Sequence, residues 1–182
     1  MLHLILGNQG AGKTLCAIAQ AFIYYKKGYK IYSNVHLRFP YSKIKYKDII
    51  ECKYEKAFIL IDEIHQLLPA RNSLSKTSRK ICDSFLSMIR KKGIELYGTT
   101  QTPRKVDVRY REEVNFITTC SKYAFLNKKW VKTDKELNSD IPCIIKTETI
   151  NIFTSSSKKN TIYANRFYNL YDTNQIIMIE GV

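Results

Sequence analysis

A glycine-rich segment near the start of the chain, residues 7–14, could bind phosphate. Its sequence GNQGAGKT fits G-x-x-x-x-G-K-[ST], and an apolar strand-like run precedes it. Glycines can adopt dihedrals that other residues avoid, so successive N–H groups can turn toward the β- and γ-phosphates of a nucleotide. The lysine can neutralise phosphate charge, and the threonine hydroxyl can supply an oxygen ligand to Mg²⁺. We predict that ATP and Mg²⁺ are bound here, by Gly7, Asn8, Gln9, Gly10, Ala11, Gly12, Lys13, Thr14 and Leu15.

Two carboxylates, Asp62 and Glu63, follow the continuous apolar run at residues 57–61. A run that is apolar on both faces is typical of a central strand in a parallel sheet, and ligands bind at the carboxyl ends of such strands. Successive strand residues point to opposite faces, so we assign the two acids separate roles. Asp62 is expected in the Mg²⁺ shell, and Glu63 is expected to polarise the water that attacks the γ-phosphate. His65 is interpreted as a packed or solvated side chain rather than a catalytic one.

Three further polar residues are candidates for catalysis. Gln101 ends the strand predicted at residues 94–100, where a glutamine can contact both a phosphate oxygen and a water. Arg109 and Arg111 lie in the basic stretch 103–111, which we expect to be too basic for the core. In a ring-forming ATPase such an arginine can reach the γ-phosphate bound by the neighbouring subunit. Arg104 and Lys105 could instead contact DNA, and plain surface charge remains an alternative for each of these basic residues.

The elements that must position these residues alternate between strand and helix. Apolar residues at helical spacing follow the phosphate loop and predict a helix. Lys26, a cation suited to a helix C-terminus, and Gly28, which can adopt the left-handed cap, predict where this helix ends. Further strands are predicted at 29–35, 57–61, 94–100 and 116–120, and a helix at 75–92 that Gly93 ends; residues 46–56 stay ambiguous. This order predicts an α/β fold of the P-loop NTPase type (RecA/ASCE-like), with a mainly parallel central sheet flanked by helices.

The sequence pattern changes after Lys122. Strands are predicted at 144–153, 161–167 and 176–179, and polar loops at 134–140 and 154–160. This β-rich extension shows no recognisable chemistry in the sequence. We expect it to extend the sheet, cover its edge or form a subunit contact. At 182 residues the chain suits one domain, with a nucleotide-binding core at 1–121 and the C-terminal extension at 122–182.

The chain is strongly basic, with 30 Lys and Arg against 16 Asp and Glu. Eleven of the basic residues and only three acidic ones fall between positions 71 and 111. This excess favours a polyanionic partner such as nucleic acid or an acidic membrane surface, with a merely solvated basic face as the alternative. The five scattered cysteines imply neither a disulfide framework nor a zinc site. With no signal peptide and no apolar run of membrane-spanning length, we expect an intracellular protein that is not secreted.

The motifs together resemble the P-loop ATPases that insert a strand between the phosphate-loop strand and the Walker B strand. More narrowly, the chain is similar to the zonular-occludens-toxin-like ATPases of the FtsK-HerA superfamily, which include DNA-packaging ATPases of archaeal viruses. The segments that carry this resemblance are the phosphate loop, KIYSNVHL at 30–37, residues 71–76, MIRKKGIELYGTTQ at 88–101, VDVRYR at 106–111 and YNLYDT at 168–173.

The resemblance implies a homohexameric ring with double-stranded DNA in its channel, ATP hydrolysis between subunits and an arginine supplied in trans. Four arginines lie in segments that are similar to the family and remain candidates for that role: Arg71, Arg90, Arg109 and Arg111. It also implies a capsid or portal protein as a partner and a location in the host cytoplasm or with the virion. Family members that assemble filamentous phages carry a membrane span after the ATPase domain, whereas this sequence has none. That departure favours a soluble packaging motor.

Two other functions remain open at this point. The chain could be a nucleotide-dependent virion-assembly module in which ATP acts as a switch and DNA is not the substrate. A small-molecule kinase would share the phosphate loop, but the adjacent Asp62 and Glu63 and the strand end at Gln101 disfavour it.

Overall fold

The strand that precedes the phosphate loop lies in the interior of a nine-stranded sheet. The structure is a computed structural model that describes residues 1–51, 53–67, 85–135 and 140–171. The helices are α1 (Lys13–Lys26), α2 (Tyr46–Ile50), α3 (residues 85–91) and α4 (Val108–Glu113). The strands are β1 (Leu2–Leu6), β2 (Lys30–Ser33), β3 (Ser42–Lys43), β4 (Ala57–Ile61), β5 (Glu95–Thr100), β6 (Phe116–Leu126), β7 (Lys129–Lys132), β8 (Cys143–Asn151) and β9 (Ser157–Tyr163).

The sheet has a parallel half and an antiparallel half. The strand order is β3-β2-β4-β5-β1-β6-β8-β9, and β7 pairs with β6. All pairs from β3 to β6 are parallel, whereas β6 pairs antiparallel with β7 and β8, and β8 with β9. The position of β5 between β1 and β4 agrees with the inserted strand that the family resemblance implies. The P-loop α/β fold class is therefore correct, and the β-rich extension lengthens the sheet.

Both faces of the parallel half are buried. The helix α1 packs through Ile18 and its neighbours against Ile5, Phe58 and Leu60 of the sheet. The opposite face carries Leu4, Ile59 and other residues, packed with side chains from α3 and α4. Because β4 is apolar on both faces, all five of its residues are buried. The two predicted glycine stops are confirmed, since Gly28 (φ 82°) and Gly93 (φ 64°) adopt the left-handed conformation after their helices.

The basic stretch 103–111 corrects one expectation. We expected it to lie wholly outside the core, but Val106, Asp107 and Tyr110 are buried. The Tyr110 hydroxyl donates a 3.0 Å hydrogen bond to the carbonyl of His3 in β1. The basic residues Arg104, Lys105 and Arg111 are exposed, whereas the three buried side chains anchor the segment, so a high charge density did not exclude it from the core.

The C-terminal extension differs from the prediction in four places, the first being β8, which ends at Asn151 and not at residue 153. Residues 157–160, predicted as loop, begin β9, and residues 164–166, predicted as strand, form a 3₁₀ turn. The strand β7 was not predicted. The strand expected at 176–179 lies outside the described residues, as do residues 71–76 and most of the helix expected at 75–92.

None of the helices in the described part of the chain has the length and apolar composition that a membrane span requires. The described cysteines Cys16, Cys120 and Cys143 are buried free thiols.

A test of the core packing uses Gly98 in the middle of β5. A Cβ atom at this position would lie 2.5 Å from Ile64 Cδ1 and 3.0 Å from the Tyr110 hydroxyl oxygen. Gly98→Ala is therefore expected to lower the free energy of unfolding by about 1–3 kcal/mol through overpacking. Urea denaturation followed by circular dichroism measures the change.

The matched control shortens the neighbour instead. Ile64→Val removes the Cδ1 atom that the new methyl group would meet, so the double variant should lose less stability than the two single changes added together. Strict additivity, or a Gly98→Ala variant as stable as the wild type, would contradict this packing.

Candidate functional site

The phosphate loop joins β1 to α1 and takes the conformation that its glycines permit. Gly10 (φ 76°) and Gly12 (φ 89°) both lie in the left-handed region, and Gly12 is the N-cap of α1. The first turn of α1 has no acidic residue and no side-chain cap. Its N–H groups and the positive end of the helix dipole therefore remain for an anionic ligand. Ala11 and Leu15 are buried, so they can contribute only through their backbone.

Lys13 is held across the loop by a backbone contact. Its side chain is almost fully buried, and Nζ donates a 3.0 Å hydrogen bond to the carbonyl oxygen of Asn8. The ammonium group is thus fixed on the concave side of the loop, where a phosphate oxygen would meet it.

Asp62 connects three elements of the site. The strand β4 ends at Ile61, and the buried Asp62 carboxylate accepts hydrogen bonds from Thr14 at 2.9 Å and from Thr99 at 2.5 Å. The hydroxyl of Thr14 also lies 3.1 Å from the second carboxylate oxygen. The expected proximity of Asp62 to the phosphate loop is therefore present, with hydroxyl and carboxylate oxygens side by side. A hard divalent cation prefers such an oxygen donor set.

The backbone of Asp62 is clamped by Asn34, a residue that the sequence interpretation did not single out. The Asn34 side chain accepts from Asp62 N–H at 2.8 Å and donates to the Asp62 carbonyl at 2.9 Å. Both hydrogen bonds are buried, which fixes the end of β4 relative to the end of β2. The only signal in the sequence was its position in the KIYSNVHL segment of the family resemblance.

Glu63 leaves the strand in an unusual backbone conformation. Its φ of 51° is left-handed, and its N–H donates a 3.0 Å hydrogen bond to the Thr99 hydroxyl. Because the strand has already ended, the two acids are freed from strict alternation and can take separate orientations. The Glu63 Oε2 atom lies 3.2 Å from Nδ1 of the partly buried His65, but the orientation is not that of a hydrogen bond.

The electrostatics of Asp62 favour a bound cation. Burial raises the pKa of the Asp62 carboxyl above its ordinary value, while hydrogen bonds from Thr99 and Thr14 and the charge of Lys13 act in the opposite direction. A cation beside this carboxylate would stabilise its ionised form and offset the cost of burial.

The three other predicted residues, Gln101, Arg109 and Arg111, lie in the segment that follows β5. Gln101 is exposed and follows Thr100, the residue that pairs with Leu6, so it lies beside the start of the phosphate loop. Arg109 makes two 2.9 Å hydrogen bonds from its guanidinium to the buried carboxylate of Asp107. Arg111 is exposed, and its Nε donates to the carbonyl of Val106 at 3.2 Å. Both arginines therefore contact their own segment, which leads from β5 to β6.

The C-terminal extension also contributes to the site, which the sequence did not indicate. A Cβ atom at Gly10 would lie only 1.9 Å from the carbonyl oxygen of Asp134, so the chain after β7 lies directly on the phosphate loop. Asn8 Nδ2 is 3.3 Å from an Asp134 carboxylate oxygen. Across 126 positions of sequence no local pattern links these two residues. A Cβ atom at Gly12 would likewise meet Ile145 of β8 at 2.4 Å.

Solved structures with a similar fold come from a bacterium and from viruses. The N-terminal domain of zonular occludens toxin from Neisseria meningitidis is similar with a TM-score of 0.60 and 18% identity, covering 94% of this chain and 98% of that one. The genome packaging NTPase from Sulfolobus turreted icosahedral virus 2, in complex with ATP-gammaS, is similar with a TM-score of 0.59 and 12% identity over 89% of this chain and 97% of that one. The DNA-packaging ATPase from Sulfolobus turreted icosahedral virus has a TM-score of 0.56 and 14% identity over 87% and 96% of the two chains.

At these identities the similarity concerns the fold, and it agrees with the resemblance drawn from the sequence motifs. No curated protein sequence matches the chain. A family model does match, over residues 3–140, which include the phosphate loop, Asp62, Glu63 and Gln101. The chain therefore belongs to the ATPase family associated with various cellular activities (AAA), and it is a P-loop ATPase.

Proposed function

We propose that this ATPase is a DNA translocase, a motor that moves double-stranded DNA into a viral capsid. The observation that carries the hydrolytic half of the proposal is the Asp62 carboxylate, hydrogen-bonded to both Thr14 and Thr99, with Glu63 beside it on a left-handed turn. A nucleotide switch needs the phosphate loop but does not need a second carboxylate fixed at the strand end. The arrangement therefore favours repeated hydrolysis.

The proposed roles of the site residues are supported by this geometry. Lys13 and the loop N–H groups hold the phosphates, Thr14 and Asp62 hold Mg²⁺, and Glu63 orients the attacking water. Gln101, beside the phosphate loop, contacts the γ-phosphate or that water. When bound by Thr14 and Asp62, Mg²⁺ would supply positive charge that offsets the charge developing on the phosphate oxygens.

For the arginine supplied in trans, the contacts favour Arg111 over Arg109. The forked guanidinium of Arg109 is already engaged by both oxygens of Asp107. Arg111 is exposed, and among the described residues its guanidinium is held through Nε by the Val106 carbonyl. An exposed guanidinium of this kind can reach a γ-phosphate bound by a neighbouring subunit.

The DNA half of the proposal is supported by charge and by fold. A net charge of +14 attracts a polyanion, and lysine and arginine contacts to phosphates do not depend on base sequence. A motor that packages a whole genome must bind DNA regardless of its base sequence. The fold likeness to packaging ATPases covers nearly the whole chain. The proposal includes a hexameric ring of the FtsK-HerA type, a capsid or portal partner, and a location in the host cytoplasm or with the virion.

A second candidate is favoured by the likeness to the zonular occludens toxin domain, which covers 94% of this chain. In that case the protein would be a nucleotide-dependent assembly module, with ATP as a switch and DNA not its substrate. Stimulation of hydrolysis by DNA separates the two.

The support for Asp62 can be tested at Thr99. Thr99→Val keeps the shape but removes the hydroxyl that donates to Asp62 and accepts from the Glu63 N–H. We expect ATP turnover to fall about 10–100-fold, as for other residues that orient metal ligands. Thr99→Ser keeps the hydroxyl and should retain most of the activity, measured as steady-state phosphate release. Equal losses in the two variants would show that packing, rather than the hydroxyl, matters here.

The function itself is tested by steady-state ATP hydrolysis with and without duplex DNA, at low and at moderate salt. A motor should hydrolyse faster when duplex is added, and the stimulation should fade as salt weakens phosphate contacts. Glu63→Gln is the matched control, because it should still bind ATP without hydrolysing it. Hydrolysis that is indifferent to DNA would favour the assembly module, and loss of ATP binding in Glu63→Gln would reverse the roles of the two acids.

The trans arginine is tested by mixing inactive subunits. Arg111→Ala should lower turnover by about 10³-fold or more, and Arg109→Ala should lower it much less. When Arg111→Ala subunits are mixed with Glu63→Gln subunits, interfaces form that combine an intact Glu63 with an intact Arg111. Hydrolysis should then recover to a measurable fraction of the wild-type rate. If the mixture stays inactive while Arg109→Ala subunits complement, Arg109 is the residue that acts in trans.

A further inference from the structure

The C-terminal extension has a sheet face that its role in the core does not explain. The strands β7, β6, β8 and β9 form a four-stranded antiparallel sheet. On its α1 side, Ala124, Cys143 and Ile145 are buried in the core. Cross-strand partners share a face, so Phe125 with Trp130, and Tyr123 with Ile144, lie on the opposite side. We call this opposite side the open face.

Large aromatic side chains are exposed on the open face. Phe125 is 42% exposed, Trp130 44% and Tyr163 57%. The Phe125 and Trp130 rings pack against each other with centroids 5.2 Å apart and planes tilted by 56°. Exposed aromatic rings on a sheet are costly in water, and rings held in place by a neighbour suit a ligand that packs flat against them.

Lysines are interleaved with these rings. Lys132 pairs across the strands with Tyr123, and Lys146 Nζ lies 4.6 Å from the centre of the Tyr123 ring. Lys159 pairs with Glu148 on the same face. The strand positions of the open face carry three lysines, Lys132, Lys146 and Lys159, against Glu148, a net charge of +2, and Lys159 Nζ lies 3.8 Å from a Glu148 carboxylate oxygen. The open face therefore combines flat apolar surface with positive charge.

The hairpin that presents Trp130 is held in one conformation. Asn127 (φ 49°) and Lys128 (φ 61°) both adopt left-handed dihedrals between β6 and β7, as in the two-residue turns that match the twist of a hairpin. The aromatic pair is therefore presented by a defined turn rather than by a loose loop.

We propose that the open face of β7-β6-β8-β9 binds DNA, with Lys132 and Lys146 pairing with phosphates and Trp130 packing on a base or sugar. The inference rests on the proposed function and names the surface that its DNA contacts. Rings that supply stacking, surrounded by lysines that follow a backbone, are the elements with which proteins bind nucleic acid without reading its sequence. A second copy of the chain is a poorer fit, because two such faces would bring like charges together.

Trp130 is the single tryptophan of the chain, so its fluorescence reports on this face directly. Titration with a single-stranded oligonucleotide and with a blunt duplex of the same length should quench its emission. Quenching by the duplex supports the proposal, because the proposed motor acts on double-stranded DNA. Quenching by the single strand alone would show that the face does not contact duplex DNA, and it would overturn the proposal. If DNA binds, as judged by anisotropy of labelled DNA, without any change in emission, the proposal is wrong.

Matched variants separate this face from bulk charge. Lys132→Ala/Lys146→Ala removes two positive charges from the open face, and Lys129→Ala/Lys158→Ala removes two from the opposite face of the same sheet. The first pair should reduce the slope of log affinity against log salt by roughly 1–2, and the second should leave it near the wild-type value. Trp130→Ala should weaken binding about 5–150-fold, and Trp130→Phe should retain most of it. Equal losses in the two lysine pairs overturn the proposal.

Two readouts keep this inference distinct from the proposed function. If duplex DNA stimulates hydrolysis by the wild type but the open-face variants show the same stimulation ratio, the motor stands and the assigned surface is wrong. If the wild type shows no stimulation, the motor itself fails. A change in the oligomeric mass of DNA-free Trp130→Ala would instead assign the face to a subunit contact and overturn the inference.

Discussion

The burial of one carboxylate at the end of β4 is the constraint on which the site depends. A buried ionised group must be compensated by hydrogen bonds or opposite charge, and Asp62 has donors from Thr14 and Thr99. Those donors belong to α1 and β5, so satisfying Asp62 requires the phosphate loop and the two neighbouring strands to sit in one register. The Asn34 clamp on its backbone adds β2 to the same requirement. The hydrogen bonds of Asp62 thus fix four elements relative to one another: α1, β2, β4 and β5.

The same requirement explains why the sequence predicted this part of the molecule. The phosphate loop is recognisable as a local sequence pattern, and the burial of β4 is predicted by its apolar residues on both faces. Once both lie in one parallel sheet, their carboxyl ends must meet at one edge, which placed Asp62 near Thr14 without knowledge of any distance. Thr99 and Asn34 could not be found this way. Threonine and asparagine are common at strand ends, and their roles depend on which strands become neighbours.

The antiparallel half was less predictable for a physical reason. The segment 154–160 is rich in serine, lysine and asparagine, a composition typical of loops, yet its last four residues pair with β8. Edge strands with exposed side chains need no apolar alternation, because their backbone hydrogen bonds to the neighbouring strand hold them. For the basic stretch 103–111 the prediction was wrong in the opposite direction: it was expected outside the core, but three buried side chains, one of them the Asp107 carboxylate, anchor it while Arg104 and Arg111 are exposed.

The contact between Asp134 and the phosphate loop links the two halves in a way that bears on mechanism. The Asp134 carbonyl lies so close to Gly10 that any side chain there would clash with it. A displacement of the segment around Asp134 would therefore also displace the phosphate loop. The same segment is the direct continuation of β7: Thr133 N–H donates to the Lys122 carbonyl, and Lys122 Nζ donates to the carbonyl of Lys135. The strand that carries Trp130 is therefore joined to the nucleotide site by a few ordered residues. Under the proposed function, a displacement of the open face would therefore reach the phosphate loop by a short, hydrogen-bonded route, and a motor needs such a coupling between its DNA contact and its nucleotide site.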